Sequence, residues 1–241
     1  MAFEPFMQLF RGIQSRRNAG GINDVQNLHQ VAYLRHLQKE IVKEDVMNIN
    51  LNELNVVVFD IETTGFSPEK GDVILSIGAV KMCGKEIQED GTFYSLVYFD
   101  QDVPDEIVKL TGITNEQVIN APKISDVLIE FYQFVKNSPL VAHHANHERS
   151  FMSYYSNKIL KTPFKHRIID TSFIYKVVDP TMKMATLDQL CMEQNILIEN
   201  RHHALGDAIM TAKLWSIYIE KVRQKGCETL NDVYHRFGNM H

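Results

Sequence analysis

The 241-residue sequence predicts an α/β fold: a mixed β-sheet, with a three-stranded antiparallel meander followed by parallel strands, flanked by helices. Two observations carry that prediction. Three runs of strand character, Val56–Phe59, Val73–Met82 and Thr92–Phe99, follow one another with short breaks. Beyond them the apolar period lengthens to that of helices, and only the short strand-like runs Leu140–Ala142 and Arg167–Ile169 interrupt it.

Taken in order, the first fifty residues form a helical extension, residues 1–50, ahead of a domain over 51–241. Asn18-Ala19-Gly20-Gly21 is a flexible break. From Asp24 to about Asp45, Val25, Leu28, Val31, Ala32, Leu37 and Ile41 recur near a 3.6 period. Asp24 suits the N-cap of that amphipathic helix, whose stripe either packs on the following domain or docks a partner. Val56-Val57-Val58-Phe59 is the β-branched and aromatic run of a buried strand. Gly84 and Gly91 bracket the expected turn before the third strand. Helices are expected over Pro104–Leu110, Ser125–Lys136, His147–Leu160, Thr186–Gln194, Ala204–Arg223 and Thr229–Phe237.

Composition narrows the class. The chain is 44% hydrophobic and 23% charged, ordinary globular values that exclude disordered and collagen-like chains. A net charge of −5 argues against a bulk DNA-coating protein. That charge is unevenly spread: residues 51–148 carry 6 basic and 16 acidic side chains, whereas residues 149–241 carry 13 basic and 9 acidic. No apolar run approaches the roughly 18 to 20 residues that span a bilayer, so no membrane association is expected. Cys83, Cys191 and Cys227 form no CxxC pair, which points to a reducing, cytoplasmic setting. The N-terminal apolar stretch precedes its basic residues, the wrong order for a secretory signal.

Three segments carry chemistry. In Phe59-Asp60-Ile61-Glu62-Thr63-Thr64-Gly65, Asp60 and Glu62 are two apart on a strand and project from one face. Two adjacent carboxylates repel unless a cation neutralises them, and hard oxygen donors suit Mg²⁺ or Mn²⁺. The same pattern also fits a strand that ends in solvent. In Leu140-Val141-Ala142-His143-His144-Ala145-Asn146-His147-Glu148, a strand passes into a helix. Its histidines suit either a helix cap or a metal, although the strand-to-helix switch separates His143 from His147 and thiolate partners for zinc are lacking. In Arg201-His202-His203-Ala204-Leu205-Gly206-Asp207-Ala208, Asp207 lies near the apolar face of a helix, where a carboxylate needs a partner. His202 stands just ahead of it and titrates near neutral pH.

Together FDIETTGF, VAHHANHE and HHALGDA resemble the three motifs of the DEDDh 3′→5′ exonucleases, the family of the proofreading subunit of bacterial DNA polymerase III. The LTGIT segment at Leu110–Thr114 with Ala121-Pro122 is similar to a connecting stretch of the family, and Ile169-Asp170-Thr171 resembles its second-helix entry. The resemblance runs from about Val56 to about Trp215. It implies a ribonuclease H-like sheet and a phosphodiester hydrolase that releases 5′-mononucleotides from 3′ ends of single-stranded DNA or RNA, DNA being favoured. It implies that Asp60, Glu62, Glu148 and Asp207 hold two Mg²⁺ or Mn²⁺ ions and that His202 is the general base. The backbone around Thr63 and Thr64 would hold the terminal nucleotide. Lys176, Lys183 and Arg201 flank the third motif where phosphates would approach. One departure stands out: Glu148 replaces the aspartate of the second motif, and His147 replaces its aromatic residue. A polymerase is a candidate partner of the N-terminal helix, and a binding protein that has lost turnover is the competing reading.

Overall fold

The computed structural model describes residues 32–33 and 45–240. Its five strands, β1 (Asn55–Thr63), β2 (Ile74–Cys83), β3 (Glu86–Leu96), β4 (Leu140–Ala142) and β5 (Ile168–Asp170), form one sheet in the order β3-β2-β1-β4-β5. β1 pairs antiparallel with β2, and β2 with β3, while β4 and β5 add in parallel beside β1. The expected mixed sheet is therefore present. β1 occupies its centre, and Val56, Val57, Val58 and Phe59 are buried without alternation because helices cover both faces.

Eight helices follow among the described residues: α1 (Asp105–Thr111), α2 (Asn115–Ile119), α3 (Ile124–Val135), α4 (Asn146–Tyr155), α5 (Thr171–Val178), α6 (Leu187–Glu193), α7 (Ala204–Gln224) and α8 (Leu230–Gly238). Period-two alternation divides the core. Val57, Phe59 and Ile61 pack with Phe131, Tyr132 and Phe151 of α3 and α4. Val56 and Val58 pack with Tyr175, Leu190 and Trp215 of α5, α6 and α7. Asp60 and Glu62 continue the second series, so both carboxylates point to the side of the sheet that α7 covers.

Four details differ from expectation. β3 begins at Glu86 and contains Gly91, because an edge strand tolerates the polar stretch Glu86–Asp90 that lowered its strand signal. α2 was not expected, although Thr114 and Gln117 form a capping box that is legible as T-x-x-Q. α5 begins at the helix entry that the resemblance implied at Ile169-Asp170-Thr171, but periodicity did not show it, because TSFIYKVV is rich in β-branched and aromatic residues; the Asp170 side chain caps it by accepting from the Ser172 N–H at 2.8 Å. The helix expected over His147–Leu160 is α-helical to Tyr155 and continues as a π-turn over Ser156–Leu160.

The amphipathic helix expected from Asp24 to about Asp45 lies outside the described residues except for Ala32 and Tyr33, which are helical, and Asp45, which is not. Val46, Met47 and Ile49 pack on the α5–α8 core, and the Leu51 N–H donates to the Glu228 carbonyl at 2.8 Å. The Asn231 N–H of α8 donates to the Met47 carbonyl at 3.0 Å, tying the segment before β1 to the last described helix. No helix among the described residues is long and apolar enough to cross a membrane.

Candidate active site

Three elements converge at the C-terminal end of β1. The strand delivers Asp60 and Glu62, the first turn of α4 delivers Glu148, and the first turn of α7 delivers Asp207. Close packing makes the convergence possible. Gly78 lies opposite Asp60 in the β1–β2 ladder, and a Cβ there would overlap the backbone of Ala204 and Leu205. The start of α7 thus rests directly on the sheet. Gly206 similarly lets the preceding loop close on the helix, since a Cβ there would overlap the Asn200 carbonyl.

A carboxylate oxygen of Glu62, one of Asp207 and a ring nitrogen of His202 all lie within 4.8 Å of one another. Asp60 and Glu148 complete the electrostatic group. Burial raises the Asp60 carboxyl well above its ordinary range, and Glu148, Glu62 and Asp207 raise it further. Burial, then Asp207, pushes Glu62 up to about 7. Burial lifts Glu148 to about 8, reinforced by Asp170 and Glu62. Burial raises Asp207 to about 6 against the opposing charge of Arg201. Four acids crowded at low dielectric resist ionisation until a cation compensates them.

The donor set fits such a cation. Glu148 is 3% exposed and Asp207 4% exposed, yet Glu148 Oε2 and Asp207 Oδ1 are buried without a hydrogen-bond partner among the described residues. Orphaned buried carboxylate oxygens are costly unless something absent from the protein chain satisfies them. The cluster offers hard oxygens and one imidazole with no thiolate, which suits a divalent cation of the oxygen-preferring class.

The remaining sequence candidates have structural partners. Thr63 Oγ1 donates to the Gly65 carbonyl at 2.7 Å and lies 3.2 Å from His147 Nε2. Thr64 donates its N–H to the Val73 carbonyl and accepts the Val73 N–H on its hydroxyl, both at 3.0 Å. These bonds pin the loop after β1. His147 occupies an aromatic position and packs its ring near Phe66 and Phe151. His143 has both ring nitrogens engaged, Nδ1 with the Thr171 hydroxyl at 2.8 Å and Nε2 with the Ala185 carbonyl at 3.0 Å. His203 caps α7 by accepting from the Gly206 N–H and stacks on Tyr94 at 4.4 Å. Among the described residues, His202 alone of the histidines belongs to a group of side chains close enough to share a cation.

Two residues at the site have roles that no local sequence pattern signals. Asp170 accepts from the Ala145 N–H at 2.9 Å and from Ser172, bracing the turn that presents Glu148. Arg201, expected near phosphates, pairs with Asp207 and with Asp188, the latter at 2.6 Å. Its position beside His202 was the available signal, and nothing in the sequence showed which carboxylates it would meet.

Known proteins share sequence and fold with this chain. The family model described as Exonuclease, of the RNase T type, matches residues 57–215. A PolC-type DNA polymerase III of Clostridium perfringens is 37% identical over 182 residues, covering 74% of this chain but 12% of that protein. The DNA polymerase III epsilon subunit of Aquifex aeolicus is 33% identical over 176 residues, covering 73% of this chain and 86% of that protein. The chain thus spans about an eighth of the PolC-type relatives and most of the epsilon subunit. Among solved structures, exonuclease X in complex with 5′ overhanging duplex DNA superposes with a TM-score of 0.56 at 20% identity, covering 77% of this chain and 98% of the other. The nuclease domain of 3′hExo bound to rAMP gives a TM-score of 0.60 at 20% identity, covering 73% and 94%. The structural likeness establishes the ribonuclease H-like fold.

Proposed function

The chain belongs to the DEDDh 3′→5′ exonuclease family, and from that premise we propose that it hydrolyses single-stranded nucleic acid from the 3′ end. DNA is favoured over RNA, and the products are 5′-mononucleotides. The observation that carries this reading is the meeting of Glu62, His202 and Asp207 within 4.8 Å beside the orphaned oxygens of Glu148 and Asp207.

Asp60, Glu62, Glu148 and Asp207 would hold two Mg²⁺ or Mn²⁺ ions. When bound, such ions supply Lewis-acid stabilisation of the phosphate and of the leaving 3′ oxygen. His202 accepts the proton of the attacking water. Its pKa is lowered, first by burial and then by Arg201, so the imidazole is neutral and able to take a proton at pH 7. The water oxygen forms a bond to phosphorus, the bond from phosphorus to the 3′ oxygen of the preceding nucleotide breaks, and that oxygen is protonated. The loop pinned by Thr63 and Thr64 borders the terminal nucleotide. Phe66, 85% exposed beside His147, offers a face on which an unpaired base can stack.

Relatives named as PolC-type DNA polymerase III and as a DNA polymerase III epsilon subunit support the DNA preference and a polymerase as partner; the contact proposed for it is residues 1–50. The free thiols of Cys83, Cys191 and Cys227 support a reducing, cytoplasmic location.

Matched 3′-labelled single-stranded DNA and RNA oligonucleotides, each assayed with Mg²⁺ and with Mn²⁺, test the proposal. Stepwise release of 5′-mononucleotides, faster from DNA, is expected. Tight binding of both strands without release would instead identify a binding protein on the same fold.

A further inference from the structure

Arg201 touches more of the site than a surface cation requires. Its Nη1 pairs with Asp207 Oδ2 and lies 3.3 Å from Nδ1 of His202. A guanidinium only donates, so the His202 contact takes Nδ1 as the acceptor. One nitrogen therefore covers both a candidate cation ligand and the candidate base. Nε is held separately, by Asp188 Oδ1 at 2.6 Å, and Asp188 stands on α6 outside the carboxylate cluster with 40% of its side chain exposed.

We propose that Arg201 is a built-in counter-cation that holds the carboxylate cluster while divalent cations are absent and must leave Asp207 when they bind. The proposal rests on the metal reading above. Charge favours it: the Arg201 guanidinium is the opposing positive influence on Asp60, Glu62 and Asp207 alike. A divalent ion bound to the same carboxylates replaces that influence and repels the guanidinium across a few ångströms of low-dielectric protein. Geometry supplies the route. Asp207 and Asp188 engage different nitrogens, so Arg201 can release the first while remaining anchored to the second. Arg201 thereby sets cation affinity by competition and releases His202 in the same movement.

Mn²⁺ binding to the full chain, followed by electron paramagnetic resonance of the free ion, tests this alongside the melting temperature of the metal-free protein. Arg201→Gln is expected to bind Mn²⁺ about tenfold more tightly than wild type, as removal of a competing charge-assisted bond implies. It is also expected to melt lower without metal, because the cluster loses its compensating charge. Asp188→Asn keeps the guanidinium but removes its anchor, and is expected to tighten binding by a smaller factor; it carries the test if Arg201→Gln does not fold. Asp207→Asn identifies the metal site itself. If it abolishes Mn²⁺ binding while Arg201→Gln binds no more tightly than wild type, the counter-cation role is overturned and the metal site stands. If wild type and Arg201→Gln both fail to bind Mn²⁺, the metal reading falls and takes this proposal with it.

Discussion

The backbone of Leu205 rests against the open face of Gly78, so that any side chain at position 78 would collide with the start of α7. Gly78 is also the ladder partner of Asp60. One contact thus fixes the separation between the strand bearing Asp60 and Glu62 and the helix bearing Asp207. Gly78→Ala is expected to lower stability by about 1–3 kcal/mol through overpacking and to weaken Mn²⁺ binding sharply. The control is Val233→Ala, a core truncation on α8 away from the cluster, which should cost stability and leave Mn²⁺ affinity alone. Equal effects of the two on metal binding would contradict the positioning role of Gly78.

Asp60 carries an electrostatic penalty in the metal-free protein, from burial first and then from three neighbouring carboxylates. Asp60→Asn relieves that repulsion. The variant is expected to melt at a higher temperature than wild type without metal, to gain less from added Mn²⁺, and to lose nuclease activity by about 10³-fold. Calorimetry with and without Mn²⁺, paired with a rate measurement, checks the opposite signs. A fall in both stability and activity would mean that Asp60 is structural.

The second-motif glutamate is built into this site. Glu148 is buried on the first turn of α4, with Asp170 bracing the turn before it. Glu148→Asp withdraws the carboxylate by one methylene, about 1 Å, and is expected to lower kcat/KM by up to about 10²-fold. A large gain in rate on making that substitution would show that the native site is compromised by its glutamate.

His166 lies far from the carboxylates and gives stability a pH dependence of its own. It is 5% exposed, stacks on Tyr132, faces Phe164 and donates Nε2–H to the Lys136 carbonyl at 2.9 Å. Burial, offset in part by that hydrogen bond, lowers its pKa from 6.5 to about 4. Its neutral form is the one the fold accepts. The stabilisation is complete above pH 6.5 and declines as the pH falls towards 4, where the unfolded chain is protonated and the folded one is not, by at most about 3 kcal/mol. His166→Gln should flatten that part of the stability curve, measured by denaturant titration between pH 7 and pH 4.5. An unchanged slope would remove His166 as its source.

Much of this molecule was legible in its sequence because two signals are local. The run Val56–Phe59 announces a buried central strand, and i, i+2 spacing places Asp60 and Glu62 on one face before any fold is known. Ordered motifs marked Glu148 and Asp207, 59 positions apart in the chain, as parts of one site. What remained hidden depends on three-dimensional placement. The polar edge of β3 is stable only because β2 lies beside it. α5 is helical against its own β-branched composition because Asp170 caps it and Ile174, Tyr175 and Val177 pack on the core. The pairing of Arg201 with Asp188 and Asp207 follows from how α6 and α7 pack, which no local pattern encodes.

Four carboxylates and His202 are proposed to hydrolyse 3′ ends in a metal-dependent way. The most direct measurement follows release of the terminal nucleotide from a 3′-labelled single-stranded DNA by the full chain. Wild type and Asp207→Asn are compared with Mn²⁺ and after chelation. Wild type is expected to release 5′-mononucleotides with Mn²⁺ and not after chelation, and the variant to release none above background under either condition. Release that persists after chelation, or an Asp207→Asn variant as active as wild type, would contradict the proposal.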